Sequence, residues 1–444
     1  MKALFDRLHN RLGDFWFYSL MIFCACRVAD VMNVFVGLWL VPKYVDPSEL
    51  GAVMPLTQFA NFLALPATIF ATTFMKEVNT LATRGEYGKM KTLMRGVFIG
   101  VGAFLVLALV TSRLLMPYFL ERIRVVEGAL GILIITASFL GSTAPVYQNA
   151  LQALKKFNTI SLLGIIGAPV RLITMLIAMP FRPLSGYFVG QAATPAFNIL
   201  ASIFALRKEL SVKAEPYWSK PIAKRLGYLF IGITAYQIFP MIAGLVEQTV
   251  LRQRLPELDS AAYYMVSRFS DISNFISGAL LMIMFPYTAE LAERGQDTRP
   301  LVVKSSIATA AAGILLALLF GLFGKHLLAL LPHGREYADY NWALPWLIGL
   351  TTIAGIQTFH VNTEVSAGRF GFLKWWIPLH LAYPLLLLGV TGYGYFKAVL
   401  PETAIDFLAH HNVSTLSTIL WWMTGLAIAK TTGSALGMLK SRTI

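Results

Sequence analysis

This sequence is short of charge. Asp, Glu, Lys and Arg make up only 14% of the 444 residues, against 56% hydrophobic ones, and the mean hydropathy is +0.63. A soluble globular domain carries about a quarter charged residues, so that class is excluded. Cysteine is almost absent, with Cys24 and Cys26 alone. Two positions apart on a helix they point about 200° away from each other. They can neither bridge nor clip a metal, and they read as small packing residues. There is no low-complexity segment and no long polar stretch to fold into a soluble catalytic domain, so no catalytic residue, metal site or cofactor is expected. The largest candidate outer connection, about 397–412, has room for an amphipathic turn only. Acidic residues are also scarce, which leaves a formal charge of +14. That excess is not a nucleic-acid footprint, because the basic residues sit mainly in alternate short loops.

What is present is one apolar run after another. A bilayer-crossing helix needs about 20 apolar residues, and by that measure the sequence supplies roughly twelve. They fall at about 15–41, 49–75, 96–117, 127–150, 159–180, 186–206, 226–250, 260–286, 305–324, 340–365, 375–396 and 413–436. Before them, residues 1–14 place Lys2, Arg7 and Arg11 among Leu4, Phe5, Leu8 and Leu12 at helical spacing. This pattern predicts a basic helix lying on the inner surface, not a cleavable signal. With the N-terminus inside, 23 Lys and Arg fall on the cytoplasmic side, 10 on the outer side (counting Arg113 near the outer end of the third span) and four deeper within spans. The bias predicts that both termini are cytoplasmic.

A stretch that occurs twice organises the chain. Residues 81–85 read Leu-Ala-Thr-Arg-Gly and residues 291–295 read Leu-Ala-Glu-Arg-Gly, an offset of 210 that holds without a gap far upstream. A repeat over half the chain predicts two similar all-α bundles of six spans each. The expected division is an N-lobe at 15–206, a cytoplasmic linker at 207–225, a C-lobe at 226–436 and a tail at 437–444.

Within the spans a few residues are expensive. An ionised group at mid-bilayer costs about 3 kcal/mol on the insertion scale. Arg27 and Asp30 lie in the first span, Arg171 in the fifth, and Arg268 and Asp271 in the eighth; Glu247 and Glu364 lie nearer span ends. Arg27/Asp30 and Arg268/Asp271 share the i, i+3 spacing that puts both members on one helix face. Their repeat-related positions are polar too: Gln237 matches Arg27, while Gln58 and Asn61 match Arg268 and Asp271. Two readings stand. Each pair neutralises itself and pins helix packing, or the four faces turn toward a common wet cavity. For Glu247 and Glu364 the packing alternative is stronger, and His360 and His380 read first as hydrogen-bonded packing residues.

Three motifs in order then carry a resemblance. They are Val41-Pro-Lys-Tyr-Val-Asp-Pro-Ser-Glu-Leu-Gly51, Leu81-Ala-Thr-Arg-Gly-Glu-Tyr-Gly-Lys89, and Leu151-Gln-Ala-Leu-Lys-Lys-Phe157 with its echo Val365-Ser-Ala-Gly-Arg-Phe370. Together they resemble the multidrug/oligosaccharidyl-lipid/polysaccharide (MOP) exporter superfamily, and most of all its Wzx-type polysaccharide-flippase branch. Asp46 and Glu49 depart from the usual glycine and tyrosine of the first motif. The resemblance implies a V-shaped, MATE-like pair of six-helix bundles in the inner (cytoplasmic) membrane, with spans 1, 2, 7 and 8 lining a cavity. It implies that a lipid-linked oligosaccharide is moved from the inner to the outer leaflet by alternating access. It also implies that Arg27 and Arg268, on the spans corresponding to those with cavity arginines in the related lipid II flippase, meet a diphosphate.

The expectation is therefore a flippase for a polyprenyl-diphosphate oligosaccharide. Arg27, Arg268, Arg171, Gln58, Asn61 and Gln237 would bind substrate. Asp30, Asp271, Glu247 and Glu364 would couple Na+ or H+. The protein would act as a monomer, alongside a polysaccharide polymerase or other export machinery. A drug/cation antiporter of the same superfamily is the alternative, though that chemistry wants a cavity dominated by carboxylates. A membrane glycosyl-polymerase or ligase is more remote, because only His410 and His411 in a short loop offer it chemistry.

Overall fold

The structure, a computed structural model, describes residues 27–125, 130–154, 156–293, 296–366, 369–391 and 416–440. Outside them lie the expected interfacial helix at 1–14, Cys24, Cys26, the 397–412 connection with His410 and His411, and most of the 437–444 tail. Arg294 and Gly295 of the second repeat copy lie outside them as well.

The described residues contain helices and no strand. In chain order, α1 covers 27–44, with a π-helical turn at Val36–Leu40. It is followed by α2 (Val53–Thr83), α3 (Tyr87–Arg122), α4 (Leu130–Ala153), α5 (Phe157–Ala178) and α6 (Pro183–Ala205). The second half holds α7 (Lys220–Arg254), α8 (Glu257–Glu293), α9 (Arg299–Ala329), α10 (Ala343–Ser366), α11 (Leu373–Thr391) and α12 (Leu416–Lys440). Among the described residues, seven helical stretches are long and apolar enough to cross a membrane: Tyr87–Leu107, Leu130–Gln148, Phe157–Ala178, Pro183–Ala205, Ile222–Arg254, Arg299–Ala329 and Ala343–Val365. Their exposed sides suit lipid. On α9, Ile307, Ile314, Leu318 and Leu322 are each 60% exposed or more, an apolar stripe that water would not tolerate. Several hydroxyls inside the spans bond back to their own helix, as Thr352 Oγ1 does to the Ile348 carbonyl at 2.7 Å, and so need no cross-helix partner, whereas Thr194 on α6 donates across to the Gly167 carbonyl of α5 at 2.8 Å.

Connections follow local chemistry. Between α1 and α2, Asp46 caps a short helical turn, Pro47–Leu50, accepting from the Ser48 N–H at 2.9 Å and the Ser48 hydroxyl at 2.7 Å. Those two bonds hold its carboxyl below the usual aspartate range. At the end of α2 the Arg-Gly of the repeated motif has a physical purpose. Gly85 takes φ +71°, and Glu86 N–H reaches back to the Leu81 carbonyl at 2.9 Å. This is a glycine C-cap, in the left-handed region that a side chain disfavours.

The chain divides into two compact units. One is Met1–Val36, Leu63–Pro117 and Glu127–Ile231; the other is Gly37–Phe62, Tyr118–Val126 and Gly232–Ile444. Two of the boundaries fall where a helix is locally irregular: in α1 at the π-turn, and in α3 at Pro117, both common sites of helix bending. In the first unit α4 packs on α6 and α5 on α6. A core of Phe74, Leu81, Met90, Leu93, Leu151 and Leu206 lies toward one end of that bundle. Within the expected 207–225 linker, the stretch 211–219 is docked there. Glu215 N–H meets the Gly88 carbonyl at 3.2 Å, Thr92 donates to the Glu215 carbonyl at 2.6 Å, and Tyr217 donates to Glu77 at 2.5 Å. In the second unit α10 packs on α8, α9 and α12, and α11 packs on α12. Segments 37–62 and 118–126, from the first half of the chain, pack with these second-half helices in the same unit.

Candidate functional site

Both Arg–Asp pairs form. Arg27 Nη2 lies 3.0 Å from Asp30 Oδ2, and Arg268 Nη1 lies 3.1 Å from Asp271 Oδ2. Neither pair is sealed away: the arginine side chains are 28% and 30% exposed. A pair that only pinned packing would be expected to lose its accessible surface. A pair at the wall of a polar space would keep it.

Each face extends one turn beyond the expected residues. On α1 the next i+3 position is Asn33, whose Oδ1 accepts from Arg171 Nη1 at 2.5 Å. The fifth-span arginine is thus brought to the α1 polar face. On α8 the next i+3 position is Asn274, whose Nδ2 approaches Asp271 Oδ1 at 3.5 Å. The two helices therefore carry the same pattern, Arg-x-x-Asp-x-x-Asn, as Arg27, Asp30, Asn33 and as Arg268, Asp271, Asn274. Three residues at i, i+3, i+6 make one continuous stripe. The repeat does not point to the asparagines, because the 210-residue offset pairs Arg27 with Gln237, not with Arg268. A direct comparison of spans 1 and 8 would have found them.

In the second unit Arg268 is well supported. Its guanidinium lies 5.4 Å from the centre of the Tyr264 ring, and the Tyr264 hydroxyl donates to the Gly37 carbonyl at 3.1 Å. A Cβ on Gly37 would lie 3.0 Å from Arg268 Cδ, so the absent side chain leaves room for the arginine stem. Gln58 on α2 reaches α7, with Nε2 3.3 Å from Met241 Sδ. Gln237 lies one turn before Met241 on that helix, and both glutamines are partly buried. Asn61 is exposed.

The remaining candidates are differently placed. Glu247 accepts from Gln248 Nε2 at 3.1 Å, and Gln248 also approaches the Tyr263 hydroxyl at 3.4 Å. Glu364 is 1% exposed and lies 3.5 Å from Arg369 Nε, so a coupling ion would have to displace an ion pair to reach it. His380 is a packing residue: Nδ1 lies 2.8 Å from the Trp376 carbonyl, and its ring packs at a tilt against Trp376 with centroids 4.2 Å apart. Among the described residues no group of three or more His, Cys, Asp or Glu could hold a metal ion.

Against known proteins, the sequence matches no family model and no curated sequence. The fold does match solved structures. A mutant of the Vibrio cholerae MATE transporter VcmN superposes with a TM-score of 0.64 at 16% identity, over 99% of this chain and 98% of that one. An inward-facing multidrug resistance MATE family transporter of the MOP superfamily gives 0.59 at 14%, over 95% and 94%. A MOP superfamily transporter from Pyrococcus furiosus Vc1 (DSM3638), described as having a binding pocket of reverse polarity that suggests a different function, gives 0.61 at 14%, over 96% and 94%. The chain has the fold of the MATE transporters across nearly its whole length.

Proposed function

We propose that this protein is a membrane transporter that flips a lipid-linked oligosaccharide, carried on a polyprenyl diphosphate, from the inner to the outer leaflet by alternating access. The observation that carries this reading is the pair of Arg-Asp-Asn stripes with partly exposed arginines. Guanidinium is always charged and matches phosphate oxygens bidentately, which makes it the natural partner of a diphosphate. In the empty state each aspartate neutralises its own arginine, which lowers the cost of keeping the cation in the membrane. A diphosphate brings more charge and more acceptor oxygens than one carboxylate, so it would displace Asp30 and Asp271. The released carboxylates would then be free to take up a proton or sodium ion. Arg171, fixed by Asn33, would add a third cation beside Arg27. Gln58, Asn61 and Gln237 would offer neutral hydrogen bonds to sugar hydroxyls, and the lipid tail would remain in the bilayer. The reverse-polarity pocket described for the Pyrococcus furiosus relative is a precedent, within this fold, for a pocket of changed charge.

The setting proposed with this function is twelve spans in two six-helix lobes, a monomer in the inner membrane with both termini cytoplasmic. Partners would be the lipid-linked sugar and, beyond it, polymerising or exporting machinery.

A drug/cation antiporter is the second reading, favoured by the multidrug MATE proteins among the structural neighbours. Purified protein in proteoliposomes separates the two. Flipping of a fluorescent polyprenyl-diphosphate oligosaccharide, without uptake of an organic cation under a proton or sodium gradient, is the expected outcome. Cation uptake without flipping would replace the first reading with the second.

A further inference from the structure

One basic cavity shares no residue with the arginine stripes. It sits where the last turn of α3 meets the end of α7, has a volume of about 520 Å³, and is lined by Tyr118, Glu121, Arg122, Arg124, Gln253 and Arg254. Three of those six side chains are arginines and one is acidic. The Arg122 guanidinium lies 4.8 Å from the centre of the Tyr118 ring. That cation–π contact steadies the guanidinium and still leaves it N–H groups for an acceptor. Arg124 occupies the position where a helix ordinarily ends in glycine. Its φ is +58°, and the following Val125 N–H returns to the Leu120 carbonyl at 2.9 Å. A non-glycine residue in this left-handed conformation costs about 1 kcal/mol or more. The strained arginine reaches across to the Gln253 carbonyl at 3.3 Å and to within 3.9 Å of Glu257 while staying half exposed. Between Arg122 and Arg124, the Ile123 carbonyl accepts from the buried Arg252 at 3.1 Å. The turn is thereby held with both flanking guanidiniums displayed. Arg254 closes the cavity from α7, and Tyr118, 57% exposed, gives it the aromatic rim typical of the headgroup level.

We infer that this cavity binds a phosphate-type anion, taken either from an anionic phospholipid headgroup or from solution. The bound anion links residues 118–124 of the first half to residues 253–254 of the second. It therefore stabilises the arrangement in which those segments are packed together. The inference stands apart from the substrate reading, because neither Arg27 nor Arg268 takes part.

The test measures thermal stability and native mass spectra of the detergent-purified protein with three probes: inorganic phosphate, short-chain phosphatidylglycerol and short-chain phosphatidylcholine. Arg122→Gln/Arg254→Gln is compared with wild type. Both side chains are exposed, so the variant should fold, and an unchanged elution profile and unliganded melting temperature would verify that. Phosphatidylglycerol or phosphate, or both, should bind and raise the melting temperature. Affinity in the variant should fall at least about tenfold, the factor expected for losing a charge-assisted contact. Binding of phosphatidylglycerol alone identifies a headgroup site, and phosphate alone a soluble anion site. Equal binding of phosphatidylcholine, binding unchanged in the variant, or no binding of any probe would each overturn the inference.

Discussion

Arg252 offers the sharpest test of how the two halves of the chain are held together. It is 1% exposed, and its guanidinium donates to two carbonyls contributed by the first half: Nη2 to Ser48 at 2.7 Å and Nε to Ile123 at 3.1 Å. Replacement by methionine keeps most of the volume and removes both bonds. Hydrogen bonds from a charged donor are worth about 1.5–3 kcal/mol each. Against that stands the relief of no longer burying an ion, itself several kcal/mol. The balance is a loss of about 2 kcal/mol, or roughly a 30-fold rise in the population in which the 46–51 turn leaves α7 and α8. Ser260 reports on this opening, since it is 4% exposed and packs against Gly51. In a background with Cys24 and Cys26 replaced by alanine, Ser260→Cys should react slowly with a hydrophilic maleimide. Adding Arg252→Met should accelerate the reaction by about that factor. Equal rates with and without Arg252 would refute the clamp, since the two carbonyls would then be held by something else.

Further outcomes are expected. Gly51→Ala and Gly85→Ala should both lower the melting temperature, for different reasons. A Cβ on Gly51 would overlap the Ser260 side chain and lie 3.0 Å from its carbonyl carbon, an overpacking cost of about 1–3 kcal/mol. A Cβ on Gly85 meets nothing within 4 Å, so its cost of about 1–2 kcal/mol is that of the backbone at φ +71° alone. Asn33→Ala should reduce flipping about fivefold through loss of one hydrogen bond to Arg171, worth about 1 kcal/mol at an exposed site; an unchanged rate would remove Arg171 from the site. Lys156 and Glu209 pair at 2.9 Å. Burial would raise the Glu209 carboxyl, but the Lys156 hydrogen bond, a backbone bond and the nearby positive charges together hold it below the ordinary 4.5. The pair's stabilisation is thus complete above about pH 4.5 and is lost as pH falls through the lowered value. Glu209→Gln should flatten that part of the stability profile, and an unchanged profile would show that the pair contributes nothing.

Much of this fold was legible because helices able to cross a membrane are spelled out by apolar length: each of the helices α1 to α12 overlaps an expected run, although α2 runs on to Thr83 and α3 already begins at Tyr87. The repeated Leu-Ala-x-Arg-Gly was legible as a motif, and in its first copy Gly85 caps α2. The two Arg–Asp pairs were legible because i, i+3 contacts are local. Arg252 was not. From the sequence it counted as one more cation marking a loop, since its partners lie 129 and 204 positions away and no local pattern announces a carbonyl acceptor. The docking of 211–219 was hidden by the basic residues of the 207–225 connection around it, although Tyr217 and Trp218 were a signal. Trp218 sits edge-on against Phe74 at 5.9 Å, aromatic packing that a free linker would not need.

The central proposal is that Arg27 and Arg268 each contact the diphosphate of the substrate. Equilibrium binding of a polyprenyl-diphosphate oligosaccharide to wild type, Arg27→Ala, Arg268→Ala and the double variant tests it most directly. Each single change should weaken binding by about 10- to 150-fold, the range for one charge-assisted contact. The double variant should fall short of the product of the two effects, because one ligand group couples them. Wild-type affinity in both single variants would contradict the account, and the two arginines would then belong to helix packing alone.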